Sequence, residues 1–323
     1  MRLFAVIAIL WNAWCSFAAG ADVPRIKIAP SVDSLEIAVD EAPVATFVYR
    51  DEKITRPYFA HVRAPNGVQV TRSHPPVEGS DPTDHPEFHP GIWLAFGDVS
   101  GSDGWRLKAP VRFERFVEES HGGAGEAGFA AEFSHRDQAD PEHVICRELL
   151  RCNMRATPEG MLLLWDSTFS GDREFAFGDQ EEMGLGVRVA TPLRAEQVSK
   201  FHLPAGNGEI VSADGKRNES EVWGTAPAWC DYRGVVDGKP AGVAIFCHPE
   251  NFRPSRFHVR DYGLMVANSF GQKAFKAGDA SRVAVRPGET LRLRYGVLVH
   301  GAEAPENLDL DRAFKQYVEI AGD

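Results

Sequence analysis

Residues 282–295, Arg-Val-Ala-Val-Arg-Pro-Gly-Glu-Thr-Leu-Arg-Leu-Arg-Tyr, decide the fold class. Apolar and polar side chains alternate on both sides of the turn pair Pro287-Gly288. A period of two is the spacing of a β-strand with one buried and one wet face, because successive side chains leave a strand on opposite sides. The segment therefore reads as two antiparallel strands joined in a hairpin. Similar short runs recur at 35–39, 45–49, 68–71, 161–169, 187–190, 242–247, 257–267 and 290–300, with turn-forming residues between them. Segments 75–87, 121–128 and 207–221 read as loops. Only the C-terminus has a helical period. From Asn307 to Ala321, Leu308, Leu310, Phe314, Tyr317 and Val318 form an apolar stripe, with Asn307 as cap and Asp309 and Asp311 in the first turn. The expected class is mainly β, an antiparallel β-sandwich or large barrel with a C-terminal helix.

Residues 1–21 read as a secretory signal peptide. Met1-Arg2 precedes an apolar run from Leu3 to Leu10, and Ala18, Ala19, Gly20 and Ala21 supply small residues for cleavage. No later run approaches the ~20 apolar residues of a membrane span. The expected product is exported, periplasmic or secreted, with residues 22–323 as a single β-sandwich domain. The formal charge is −11, and removal of Arg2 leaves −12. That balance argues against a nucleic-acid partner. Cys146, Cys152, Cys230 and Cys247 remain, and they read equally as buried thiols or as a source of one disulfide.

Three constellations carry groups suited to chemistry. The first is 83–105, Thr-Asp-His-Pro-Glu-Phe-His-Pro-Gly-Ile-Trp-Leu-Ala-Phe-Gly-Asp-Val-Ser-Gly-Ser-Asp-Gly-Trp. Prolines after His85 and His89 forbid a helix, yet in a loop the two imidazoles can converge on one divalent metal, with Asp84 or Glu87 as a third ligand. The second is Phe175 to Gly184, where adjacent Glu181 and Glu182 offer an acid and a base. The third is His248 to Gly263, where His258 and Arg260 fall on one strand face with Tyr262 beyond. Imidazole, guanidinium and phenol together suit an oxygen-rich ligand such as a sugar. Arg56-Pro57-Tyr58 and Thr71-Arg72-Ser73-His74 add basic groups for the same mouth. Trp93, Trp105 and Trp229 offer faces for stacking on sugars. No serine-nucleophile elbow, phosphate loop or dinucleotide fingerprint occurs.

Taken together, Arg56-Pro57-Tyr58, Thr71 through Pro76, Asp84-His85-Pro86, His89 through Trp93, Phe96-Gly97-Asp98, Glu182-Met183-Gly184 and Asn251 through Gly271 resemble the PmoA-like family of exported bacterial proteins. That family carries a methane-oxygenase label, out of keeping with a chain that has no apolar span. The resemblance implies a sugar-related setting. The fold expected is then an antiparallel β-sandwich, with a galactose-mutarotase-like supersandwich among its forms.

The function expected is a carbohydrate lyase or hydrolase acting on a glycoside or keto-sugar. In that reading His85, His89, His258 and Glu182 are catalytic, with His85 and His89 also holding the metal. Arg56, Arg72, His74, Trp93, Asp98, Asn251, Arg253, Arg260 and Tyr262 bind substrate. The alternatives are a non-catalytic glycan-binding sandwich using the tryptophans and, third, a metal-dependent oxidase.

Overall fold

A computed structural model describes residues 23–301 and 308–322, so the signal-peptide expectation lies outside the described residues. The strands, in chain order, are β1 (Arg25–Pro30), β2 (Ser34–Val39), β3 (Ala42–Val48), β4 (Tyr58–Ala60), β5 (Ile92–Phe96), β6 (Val111–Ala124), β7 (Glu126–Arg136), β8 (Val144–Thr157) and β9 (Gly160–Ser170). They continue with β10 (Phe175–Phe177), β11 (Met183–Arg188), β12 (Glu209–Ser212), β13 (Trp229–Val236), β14 (Lys239–Cys247), β15 (Arg256–Arg260), β16 (Leu264–Asn268), β17 (Val283–Val285) and β18 (Leu291–His300). A short α1 (Asn218–Val222) and a longer α2 (Leu310–Ala321) complete the elements used below.

Sixteen strands form one antiparallel sheet in the order β12-β13-β14-β18-β9-β8-β7-β6-β1-β2-β3-β4-β5-β11-β16-β15. The sheet turns back on itself where β1 meets only the far end of β6, at Arg25 and Ile26 opposite Ala124 and Gly123. Its halves then face one another. Phe47 packs on Phe129 at 4.6 Å, Phe59 on Trp165 at 5.9 Å and Phe96 on Phe169 at 5.4 Å, each pair joining the two layers. Strand alternation puts Phe59, Ile92, Leu94, Met183, Leu185, Val187 and Met265 of one half into this core. The mainly β sandwich read from the sequence is thus the architecture, as a supersandwich.

The C-terminal helix lies on the outer face of the second half. Leu310, Ala313 and Tyr317 cover Leu162, Leu164, Phe246 and Leu298. Its cap is Asp309, whose carboxylate accepts from the Arg312 amide at 2.9 Å; Asn307, the expected cap, lies outside the described residues.

Four local readings need correction. The turn at 286–289 forms, with the Glu289 amide donating to the Arg286 carbonyl at 2.9 Å, but its flanking strands do not pair. β17 pairs with β10 in a two-stranded sheet, while β18 runs between β9 and β14, where ten residues find longer partners and Leu293, Tyr295 and Val297 reach the main core. Residues 121–128 are the tip of the long β6–β7 ribbon. The 207–221 segment contains β12 and most of α1. The 257–267 run is two strands, turned at Gly263, whose amide donates to the Arg260 carbonyl. All four described cysteines are free and buried, and burial raises their thiol pKa values.

Candidate active site

Five neighbouring strands, β4, β5, β11, β16 and β15, build one face that turns away from the main core. Along β11, Met183, Leu185 and Val187 enter that core, so Glu182, Gly184, Gly186 and Arg188 take the other side. The register carries the face outward. Tyr58 lies opposite Trp93, Trp93 opposite Gly186, Gly186 opposite Val266, and Val266 opposite His258. Opposed residues in antiparallel strands share a face, so these form one row. The next row runs Arg188, Leu264, Arg260.

Glycine shapes this floor for two reasons. A Cβ on Gly186 would sit 2.7 Å from the Trp93 ring, so only glycine lets the indole lie across β11. Gly184, at φ +112°, sits against the Ala267 carbonyl of β16.

Trp93 is fully buried. His89 stacks on it at 5.1 Å and 15°, and Trp105 meets it edge-on at 5.5 Å. Trp229 packs under α2 and donates its indole N–H to Asp311 at 2.9 Å. The three tryptophans expected to stack on sugar are therefore closed to a ligand. The aromatic beside the polar groups is Trp223, half-buried, with the Arg260 guanidinium over it at 5.9 Å.

Arg56 and Arg72, expected on substrate, instead hold the loop that covers Trp93. Arg72 donates to the carbonyls of Pro82, Asp84, His85 and His89 at 2.7–3.2 Å. Arg56 donates to those of Phe88, Gly104 and Trp105 at 2.6–3.1 Å. Burial pulls Arg72 down to about 10 and Arg56 to about 9, which leaves both charged at neutral pH. Seven carbonyls thus have a cationic donor where the chain has no regular structure.

His85 is exposed at the rim of this loop and His89 is buried beneath it, with ring centres 5.1 Å apart. Burial holds the pKa of both below the ordinary histidine range, His89 most. Of the two expected third ligands, Glu87 is exposed, and Asp84 is engaged by Arg188 at 2.9 Å and lies 3.6 Å from Arg72. Among the described residues no group of three or more His, Cys, Asp or Glu is gathered as a metal would require. Two imidazoles whose nearby carboxylate is held by arginines do not fit a metal centre, and no step below passes through one.

Chemistry concentrates at the β15 end. His258 is buried, and its Nδ1 accepts the Trp223 indole N–H at 3.2 Å. Burial, aided by Arg260, pushes its pKa down to about 3. A neutral imidazole whose Nδ1 is an acceptor carries its proton on Nε2. His258 therefore presents an N–H donor and not the proton-accepting nitrogen expected of a base. Glu181 stands 3.4 Å from His258 Nδ1 and 3.4 Å from Arg260, and Arg260 also binds Glu219 at 2.8 Å. Tyr262 follows Arg260, the last residue of β15, by two residues, and the Arg188 guanidinium lies over its ring at 4.5 Å. Burial raises the Tyr262 phenol above its ordinary range, so it keeps its proton.

The structure thus brings together His85, His89, Trp93, Asp84, Arg188, Tyr262, Arg260, His258 and Glu181 on one face. Glu182 lies on the same face but is ion-paired to Arg106, which also binds Asp103 at 3.1 Å. His74 sits 3.4 Å from the Tyr58 hydroxyl, with Asp51 on that hydroxyl's other side, and burial lowers His74 to about 4. The remaining expected residues lie elsewhere. Asp98 accepts from the Gly101 amide, Asn251 exchanges two hydrogen bonds with the Arg294 backbone, and Arg253 reaches Ser281 and the Ser269 carbonyl. Arg188, Glu219 and Trp223 were not anticipated. The glycines alternating ahead of Arg188 were a usable signal, whereas Glu219 and Trp223 belong to or follow a segment that reads as a loop.

The model of a family of unknown function, DUF6807, matches residues 34–315. The chain belongs to this family. No curated protein matches it. Among solved structures this DUF6807 member is similar to an α-galactosidase from Lactobacillus brevis, with 8% identity, a TM-score of 0.43, and coverage of 90% of this chain and 41% of the enzyme. It thus spans less than half of that enzyme's length. It is also similar to a GalM/aldose epimerase homologue from C. elegans, at 8% identity and TM-score 0.37, over 86% of this chain and 99% of that one. A putative aldose 1-epimerase from Escherichia coli K12 gives 11% identity and TM-score 0.37, over the same shares.

Proposed function

We propose that this chain is an exported carbohydrate-active enzyme that cleaves a glycoside or keto-sugar by proton transfer at the β11–β16–β15 face. One observation carries the reading. A carboxylate (Glu181), an N–H donor (His258), a cation (Arg260) and a protonated phenol (Tyr262) adjoin beside a half-buried indole, Trp223. Elimination beside a ring carbonyl needs a base, an electrophile for the carbonyl oxygen and a proton donor for the leaving oxygen. Glu181 takes the proton from the carbon next to the carbonyl. His258 Nε2–H and Arg260 stabilise the oxyanion that develops. The bond to the leaving oxygen then breaks, and Tyr262 supplies that oxygen's proton. Arg188, itself held by Asp84, packs against the Tyr262 ring. The leader-like N-terminus and the PmoA-like motifs support export and a saccharide setting.

The test is a panel of glycosides and of glycosides oxidised to a ring ketone, followed by proton NMR for release of the leaving group. With a substrate found, Glu181→Gln is expected to lose about 10²–10⁴-fold in kcat/KM, the range of a general base. Full turnover by Glu181→Gln would remove Glu181 from the mechanism. Saccharide binding that quenches Trp223 fluorescence without turnover of any panel member would replace the enzyme by a glycan-binding module at the same face.

A further inference from the structure

A polar cavity lies on the outer face of the other half of the sandwich, the half that α2 covers. It has a volume of about 420 Å³, within the ~300–1,000 Å³ of small-molecule sites. The sheet register builds it. Arg151 on β8 lies opposite Asp166 on β9, and Asp166 opposite Arg294 on β18, with Thr168 opposite Arg292 in the next row. Tyr317 of α2 closes one side. The lining thus carries three cations and one carboxylate, in a protein whose formal charge is −11.

The hydrogen bonding leaves donors available. Asp166 grips Arg292 side-on, through Nε at 2.9 Å and Nη2 at 2.6 Å, which orients the guanidinium and leaves Nη1 without a partner among the described residues. Arg151 makes only a 3.5 Å ion pair with Glu118. Arg294 is braced by the Ala321 carbonyl and by Glu250, whose side chain is 74% exposed. Ion pairs to exposed glutamates are worth little, so an incoming carboxylate displaces Glu118 and Glu250 at small cost. Tyr317 contributes a wall to the cavity and its hydroxyl is buried away from solvent.

We propose that this cavity is a binding site for a sugar acid, a saccharide ring bearing a carboxylate. Arg151 and Arg292 take the carboxylate, and Thr168 and Asp166 take ring hydroxyls. Neutral sugars lack the group that the arginines recognise. The site lies across the sheet from Glu181 and His258 and does not depend on the reaction assigned there.

Isothermal titration of the full chain with D-glucuronate, D-glucose and sodium sulfate tests it. Glucuronate is expected to bind at least tenfold more tightly than glucose or sulfate, and Arg151→Ala/Arg292→Ala to weaken it at least tenfold. Arg292→Lys alone, which keeps the charge but not the side-on pair with Asp166, is expected to fall between the two. Thermal melts of each variant separate loss of binding from loss of folding. Equal affinity for glucose and glucuronate, equal affinity for sulfate, no binding at all, or a folded double variant with unchanged affinity would each overturn the assignment.

Discussion

Arg72→Met tests whether this guanidinium positions the covering loop. The side chain is 1% exposed and donates four hydrogen bonds to main-chain carbonyls between Pro82 and His89. Methionine fills much of the same space and removes every donor. The His85 carbonyl keeps the His89 amide as a partner, so three carbonyls are left unpaired; at ~1–3 kcal/mol each, rigid ones would cost ~3–9 kcal/mol. The loop is at the surface, with His85 exposed, so part of it turns toward water and recovers much of that sum. The expected net loss is ~3–5 kcal/mol, the usual cost of removing one partner from a buried charged network. Arg72→Lys, with three donors on one nitrogen, is expected to retain roughly half of the stability lost in Arg72→Met. Urea titration measures the loss, and hydrogen exchange locates it. The His89 amide, which donates to the His85 carbonyl at 3.0 Å, should exchange faster while the β7–β8–β9 amides shift only with global stability. A loss below about 1 kcal/mol with unchanged protection at His89 would refute the positioning role.

Three further outcomes are expected. His258 has its folded pKa lowered to about 3 against an ordinary 6.5, so the unfolded chain takes up a proton that the folded chain refuses between those values. Its contribution is complete above pH 6.5 and is lost as pH falls toward 3, with a slope of at most ~1.4 kcal/mol per pH unit. His258→Asn should flatten the urea-derived stability–pH curve by that one proton, and an unchanged slope would refute a buried neutral imidazole. Gly186→Val pushes a side chain into the Trp93 ring and should cost ~1–3 kcal/mol, with a change in near-ultraviolet circular dichroism; an unchanged melt and spectrum would show that the indole has room. Elemental analysis of untagged protein should find no stoichiometric metal that disappears in His85→Ala/His89→Ala; one metal per chain lost in that variant would overturn the ligand count made above.

Strand content was legible from alternation where one face meets water and the other meets core, as at 35–39; at 161–169 and 290–300, where α2 covers much of the outer face, it was legible from the apolar run between turn residues. It was harder to read in β11 and β16, which are buried on both sides and lose the polar half of the alternation. The 282–295 hairpin failed because local alternation says which residues pair outward and inward but not with which strand. β18 gains more from ten residues beside β9 and β14 than from three beside β17. Within the site, His258, Arg260 and Tyr262 were found through strand period alone. Arg56 and Arg72 were misread because composition does not distinguish an arginine that binds ligand from one that binds its own backbone. The tryptophans were misread because an indole that stacks on sugar and one that fills a core share the same signal.

A sheet of sixteen strands that does not close has two borders, and one of them is β15, the strand that carries His258 and Arg260. That border is blunted at a single residue. The Gly224 amide donates to the Phe257 carbonyl, and the Phe257 amide donates to the Thr225 carbonyl. These two bonds keep another molecule's strand from adding to β15. Gly224 and Thr225 directly follow Trp223, so the same bonds help fix where the indole N–H meets His258 Nδ1. Solubility and proton placement are thereby tied to one pair of hydrogen bonds. A variant that frays this border should lose the tautomer of His258 and begin to self-associate together, before its interior loosens.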